Sequence, residues 1–122
     1  MGQIFDVIDE SLINVIEQQP LFFVATAPLS DRGHVNVSPK GLETFAVTGP
    51  RTFVYADYVG SGVETVAHLQ ENGRICILFC AFSGEPRILR LHGRGDVIPP
   101  GHQDYDELKE RFPTLQGLRS FV

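Results

Sequence analysis

Residues 52–82 run TFVYADYVGSGVETVAHLQENGRICILFCAF, and this succession of patterns restricts the fold more than any other part of the chain. Aromatic and β-branched residues fill 52–58, as in a strand. Gly60-Ser61-Gly62 breaks that pattern, and Val63, Val66, Ala67 and Leu69 then recur at helical spacing. Ser61 and Glu64 have the spacing of a capping box, in which the hydroxyl takes the N3 amide proton and the carboxylate reaches back. Asn72-Gly73 predicts the helix stop, because glycine enters the left-handed region at no steric cost. A strong strand follows over 74–82. A helix opened in this way presents unpaired N–H groups and a partial positive charge, where a phosphate can sit. The plainer interpretation of the same residues is a helix cap and nothing more.

The flanking segments are mostly strands. Ile8, Leu12, Ile13, Val15 and Ile16 predict an amphipathic helix over 8–19, stopped by Pro20. LFFVATA, 21–27, is an unbroken apolar run and reads as a strand buried on both faces. Residues 28–33 have the composition of a loop. Over 34–40 the alternation is strict, with His34, Asn36, Ser38 and Lys40 on one side and Val35 and Val37 on the other. The simple expectation is that the polar side is solvated, and Pro39 places the strand at an edge. Residues 44–48 give a further short strand.

Ser83-Gly84-Glu85-Pro86 then turns the chain into a second arm over 87–98. In it Leu89, Leu91 and Val97 share one face, and Arg90, His92 and Arg94 the other. Gly93 and Gly95 fall on the apolar face, where they permit bending or close approach. Residues 103–111 predict a helix with acids early and Lys109 and Arg111 late. The last nine residues give a weak, helix-like signal. Helices are missing after most strands, which excludes a doubly wound sheet and leaves a small antiparallel barrel.

Several function classes fall away on composition. A chain of 122 residues makes one domain, 1–122, and a charged fraction of 20% with 43% hydrophobic residues is that of an ordinary globular protein. The net charge of -5 argues against nucleic acid and anionic membrane as partners. No apolar run approaches the roughly 20 residues of a membrane span, and acids stand where a signal peptide is basic. A cytoplasmic protein is expected. Cys76 and Cys80, four residues apart on one strand, lie about 13 Å from each other, beyond disulfide reach. Without a nearby histidine they also make a poor zinc site, so no metal is expected.

HExxH, GxSxG and GxxxxGK[ST] motifs are all absent from the sequence. His34, His68, His92 and His102 each stand alone. What remains is a possible convergence of Ser38 and Lys40, Arg90 and His92, and the helix entry at Ser61. Together they suit an anionic ligand such as a phosphate; separately they are solvated strand faces.

The ordered segments LFFVATA, HVNVSPKG, TFVYADY, GSGVETVAHLQENGRICILF and PRILRLHGRGDVI resemble the pyridoxamine 5'-phosphate oxidase-like, FMN-binding split-barrel proteins. The resemblance covers about residues 12–98 and is closest to the less characterised branch rather than to the oxidase itself. It implies a mainly β fold, a six-stranded antiparallel split barrel with peripheral helices. It also implies a homodimer that holds FMN in a cleft at the subunit interface. On that basis Asn36, Ser38 and Lys40 lie along the flavin with Lys40 at the phosphate, and Tyr55 and Asp57 line the ring or ribityl region. Ser61 and Gly62 stand at the helix entry. Arg90 and His92, in the Arg-x-x-Gly pattern, lie close to the cofactor.

Two departures from the family pattern stand out. Gly62-Val63 replaces the Arg-Lys pair that holds the phosphate in the oxidase, so Lys40 and backbone amides carry more of that charge. The oxidase's substrate-binding basic residues are also absent, which argues against pyridoxamine phosphate as substrate. Relatives usually continue with another strand, so a chain ending at Ser120-Phe121-Val122 is expected to be a shortened form. The activity implied is flavin-dependent oxidation or reduction of a small molecule, with hydride transfer at N5. No acid or base is assigned, His92 being the one candidate. The alternative is a non-catalytic module that binds flavin, deazaflavin or haem.

Overall fold

The computed structural model describes residues 2–41, 43–59, 62–112 and 117–122. Seven strands and three helices occur among them. Helix α1 (Glu10–Glu17) is shorter than the 8–19 expected, because Asp9 caps it: the Asp9 carboxylate accepts from the Leu12 amide at 2.9 Å. That bond satisfies one of the orphan donors of the first turn. Strands β1 (Leu21–Thr26), β2 (Asn36–Gly41), β3 (Phe45–Gly49) and β4 (Thr52–Tyr58) follow. Helix α2 (Val63–Asn72) is inserted before β5 (Arg74–Cys80) and β6 (Ile88–Arg94), and α3 (Tyr105–Arg111) precedes β7 (Leu118–Phe121).

The strands form two antiparallel sheets, ordered β2-β1-β5-β6 and β3-β4-β7, which face each other as a split barrel. The β5–β6 hairpin pairs Cys80 with Ile88, as the 83–86 turn predicts, and β2 with its Pro39 is an edge strand as expected. One expectation is overturned. The barrel has a seventh strand, β7, where the sequence suggested a weak helix. It is held by antiparallel pairing of Ala56 with Phe121 and Asp57 with Ser120, contacts too distant in sequence for local pattern to reveal. The N-cap of α2 is Gly62, with φ +122°; the expected Ser61–Glu64 capping box involves Ser61, which lies outside the described residues.

The core lies between the sheets and is largely aromatic. Phe22 is fully buried, and its ring meets Phe45, Phe53, Tyr55 and Phe79 at centroid distances of 5.2–5.7 Å. These partners come from β3, β4 and β5, so one side chain joins both sheets. Strand β4 is covered on both sides: Tyr55 and Asp57 point into the barrel, while Val54 and Ala56 pack with Tyr105 and Phe121. Strand β1 is less enclosed than expected. Phe22, Val24 and Thr26 are buried, whereas Leu21, Phe23 and Ala25 on the outer face are only half-buried.

Helix α2 closes one end of the barrel. Gly73, at φ +73°, terminates it as predicted and donates its N–H to Leu69 O at 3.0 Å. Gly95 explains why a side chain is missing beside this helix: a Cβ there would stand 2.9 Å from the Leu69 side chain. Gly93 has open space at the same test, so only one of the two glycines marks a close approach.

Candidate functional site

The alternation over 34–40 separates two faces correctly, but the polar one points inward. Ser38 is buried and Val37 is 61% exposed. The inversion has a chemical cause, because α2 and β4 supply polar partners inside. Asn36 Nδ2 donates to Thr65 Oγ1 on α2 at 2.9 Å and to Ser38 Oγ at 3.2 Å. Alongside, Thr26 Oγ1 and His68 Nδ1 lie 2.9 Å apart, a second polar link between sheet and helix. Buried polar groups are tolerated when partnered in this way.

At the far end of β2, Lys40 reaches Asp57 of β4. Its Nζ lies 3.6 Å from Oδ1, and the side chains are 12% and 2% exposed. The Asp57 carboxylate also accepts from Arg119 of β7, whose Nε is 2.9 Å from Oδ2, and from Ser120 Oγ at 3.2 Å. The second Arg119 nitrogen, Nη2, lies 2.8 Å from the same oxygen. It is buried and has no well-directed hydrogen bond among the described residues. One carboxylate between two cations leaves the group with a net charge of +1. Tyr55 lies below, with the Lys40 ammonium 5.9 Å from its ring centroid. Burial first, and the Asp57 charge second, push the Tyr55 phenol well above its ordinary range, so it stays neutral.

Gly62 completes this corner. A Cβ there would stand 3.0 Å from Asp57 Oδ1, 3.1 Å from Lys40 Nζ and 3.3 Å from an Arg119 terminal nitrogen. Backbone therefore passes directly over the charged group, which a side chain would fill. The positive φ and the close approach both select glycine.

Of the residues expected at the site, Lys40, Tyr55, Asp57 and Gly62 meet at one corner, with Asn36 and Ser38 further along β2. Arg90 and His92 are not brought there within one chain. They lie on β6, at the opposite edge of the sheet, and register places them on its outer face with Val37 rather than Lys40. Arg119 and Ser120 were missed. Their partner Asp57 is 62 and 63 residues away, and four residues of strand give no periodic signal of their own.

A family model for pyridoxamine 5'-phosphate oxidase matches residues 8–120. The chain belongs to that family. Among relatives of the pyridoxamine 5'-phosphate oxidase family, the protein ustO of Aspergillus flavus is 48% identical over 122 residues, which is 97% of this chain and 49% of that protein. The chain thus spans about half the length of this curated relative. Two solved structures share the fold. HupZ of Group A Streptococcus superposes with a TM-score of 0.71 at 24% identity, covering 93% of this chain and 85% of its own. An FMN-binding protein of Syntrophomonas wolfei superposes with a TM-score of 0.66 at 15% identity, covering 93% and 81%. Among the described residues no helix is long and apolar enough to cross a membrane.

Proposed function

We propose that this chain binds FMN, with the phosphate at the corner formed by Lys40, Asp57 and Gly62, and acts as a flavin-dependent oxidoreductase on a small molecule. The observation that carries the reading is the backbone at Gly62 passing within van der Waals reach of a charged group whose net charge is +1. Such a corner has the chemistry a phosphate needs: it sets cations beside glycine backbone, and Asp57 holds the cations in place. Membership of a family with flavin-binding members agrees with it. Tyr55, Asn36 and Ser38 lie along the same side of β2 and β4 and would flank the remainder of the cofactor. Flavin, when bound, supplies hydride transfer; the protein's part is position and electrostatics.

The same reading places the outer face of the four-stranded sheet against a second copy of the chain. Val37 at 61% and Ile88 at 67% exposure sit there beside half-buried Phe23 and Leu78, an apolar surface of the kind that marks an interface. In a homodimer Arg90 and His92 would face the partner and could reach its cofactor. Sedimentation equilibrium giving the mass of a single chain would rule this arrangement out.

A second reading has an observation behind it. Both Asp57 oxygens are engaged, Oδ1 by Lys40 and Oδ2 by Arg119 and Ser120, so this carboxylate is not free to act as a base. A non-catalytic flavin carrier would need no base. Anaerobic mixing of the flavin-loaded protein with nicotinamide cofactors separates the two, since a reductase bleaches and a carrier does not.

Lys40→Ala tests the placement of the phosphate. Asp57 keeps Arg119 as a partner, so the fold is expected to survive. FMN binding should weaken by about 1.5–3 kcal/mol, the worth of a charge-assisted contact. An unchanged dissociation constant in a fluorescence titration would show that the phosphate lies elsewhere.

A further inference from the structure

The barrel is open along β6. That strand pairs with β5 on one edge, and among the described residues no strand pairs with the other. Beside the open edge runs a slot of about 1250 Å³, whose floor includes Phe53, Tyr55, Ile75, Leu89, Leu91 and Val122. The segment before α1, residues 2–8, borders the same slot without filling it. Ile4 is 92% exposed, and Phe5 and Val7 are exposed as well. Ile8 anchors the segment, packed against the core and donating its N–H to Pro50 O at 2.7 Å. We propose that Gln3–Val7 of a second copy of this chain adds as a strand to the open edge of β6, the two copies exchanging these segments reciprocally. The inference extends the homodimer reading above and does not depend on flavin.

Edge, side-chain pattern, charge and position select that occupant. An unpaired seven-residue edge offers a row of backbone donors and acceptors, which an extended peptide satisfies and a small apolar molecule does not. Leu89 and Leu91 of β6 face the core, while Arg90 and His92 face outward. Gln3–Val7 alternates likewise, with Phe5 and Val7 on one side and Ile4 and Asp6 on the other. With Asp6 set opposite Arg90, Phe5 and Val7 fall opposite Leu89 and Leu91, whether the strands run parallel or antiparallel. A slip of one residue would turn Asp6 toward the core and lose the fit. The charges agree. Residues 87–94 carry Arg87, Arg90, His92 and Arg94 and no acid, whereas residues 3–10 carry Asp6, Asp9 and Glu10 and no base. Glu85 answers Arg87 at 3.3 Å, but Arg90 and Arg94 have no carboxylate partner among the described residues. The acids that line the slot from the same side, Asp96, Asp104 and Glu107, lie past the end of β6, toward α3. Position points to a second copy. Ile88, Arg90 and His92 border the slot and also end the outer sheet face of the proposed homodimer, so the slot continues that interface. The five N–H donors of Arg90 are enough for both Asp6 and a cofactor group.

Disulfide trapping tests the register. Asp6→Cys and Arg90→Cys are combined in one full-length chain with Cys76→Ser and Cys80→Ser, which remove the native thiols. Mild oxidation of the folded protein is followed by a non-reducing gel and identification of the linked peptides by mass. A covalent dimer joined between positions 6 and 90 is the expected result. A 6–90 link closed within one chain, or no such link, overturns the proposal. Charge exchange supplies the second measurement, by sedimentation equilibrium with circular dichroism to confirm folding. Asp6→Lys and Arg90→Asp should each raise the dimer dissociation constant at least about tenfold, because each change acts at two symmetry-related sites. Combined in one chain, the two should recover most of that loss. If the cysteine variant does not fold, Asp6→Lys decides, since Asp6 is exposed and outside every strand and helix. A dissociation constant equal to that of the wild type then overturns the proposal. A wild type that sediments as a single chain overturns this exchange together with the homodimer reading. A dimer without the 6–90 link overturns the exchange alone.

Discussion

Replacing Asp57 with alanine is expected to destabilise the fold by about 3–5 kcal/mol, the usual result of stranding buried charge by removing its partner. The wild-type carboxylate is 2% exposed and answers two cations and a hydroxyl from two strands, β2 and β7, so its loss is felt there and at its own strand β4 together. Lys40 and Arg119 would then repel each other in a partly desolvated space. Strand β7, which has only four residues, would lose the side-chain contact that locks its register. Urea denaturation measures this as a lower midpoint at unchanged slope, provided unfolding stays two-state. A loss below about 1 kcal/mol would mean that the three charges are well solvated and that the corner is no ordered site. Asp57→Asn should fall between, because the amide can still accept from Arg119 but cannot balance it.

Phe22→Ala is expected to have an effect of similar size for a different reason. Truncating a fully buried phenylalanine typically costs about 3–5 kcal/mol, as lost transfer energy plus the cavity left behind. Phe22 touches rings from β3, β4 and β5, and these are anchored in separate sheets that cannot easily collapse into the space. Phe22→Leu should recover more than half of that loss. If the alanine variant proved nearly as stable as the wild type by the same urea assay, the two sheets would not be meeting over this ring. Flavin affinity separates the two variants. Phe22→Leu should bind the cofactor almost normally once folded, whereas Asp57→Asn should not.

How far the sequence carries depends on how local each determinant is. The strand–helix–strand of 52–82 was legible because its signals lie within a few residues: β-branched runs, a helical period, and Gly73 in the left-handed conformation. The faces of 34–40 were legible too, since a strand alternates with period two. Which face turns inward was not, because that is settled by Thr65 and Asp57, which arrive from other elements. A polar inward face is affordable only when such partners exist, and a single strand does not disclose them. Strand β7 and Arg119 were illegible for the same reason in stronger form. Leu118–Phe121 is a strand because β4 is there to pair with it, not because four residues prefer extension. The resemblance compensated in part, pointing to Lys40, Asp57 and Gly62. It gave no hint, however, of Arg119, which reaches Asp57 from β7.

Everything proposed for the Lys40–Asp57–Gly62 corner depends on flavin belonging in this protein. The most direct measurement is the visible absorption spectrum of the purified chain, before and after addition of FMN, with the released chromophore identified by mass. Flavin absorption bands that persist through gel filtration, and a chromophore with the mass of FMN, are the expected result. A chain that stays colourless after incubation with excess FMN, while circular dichroism shows it folded, would contradict the central claim.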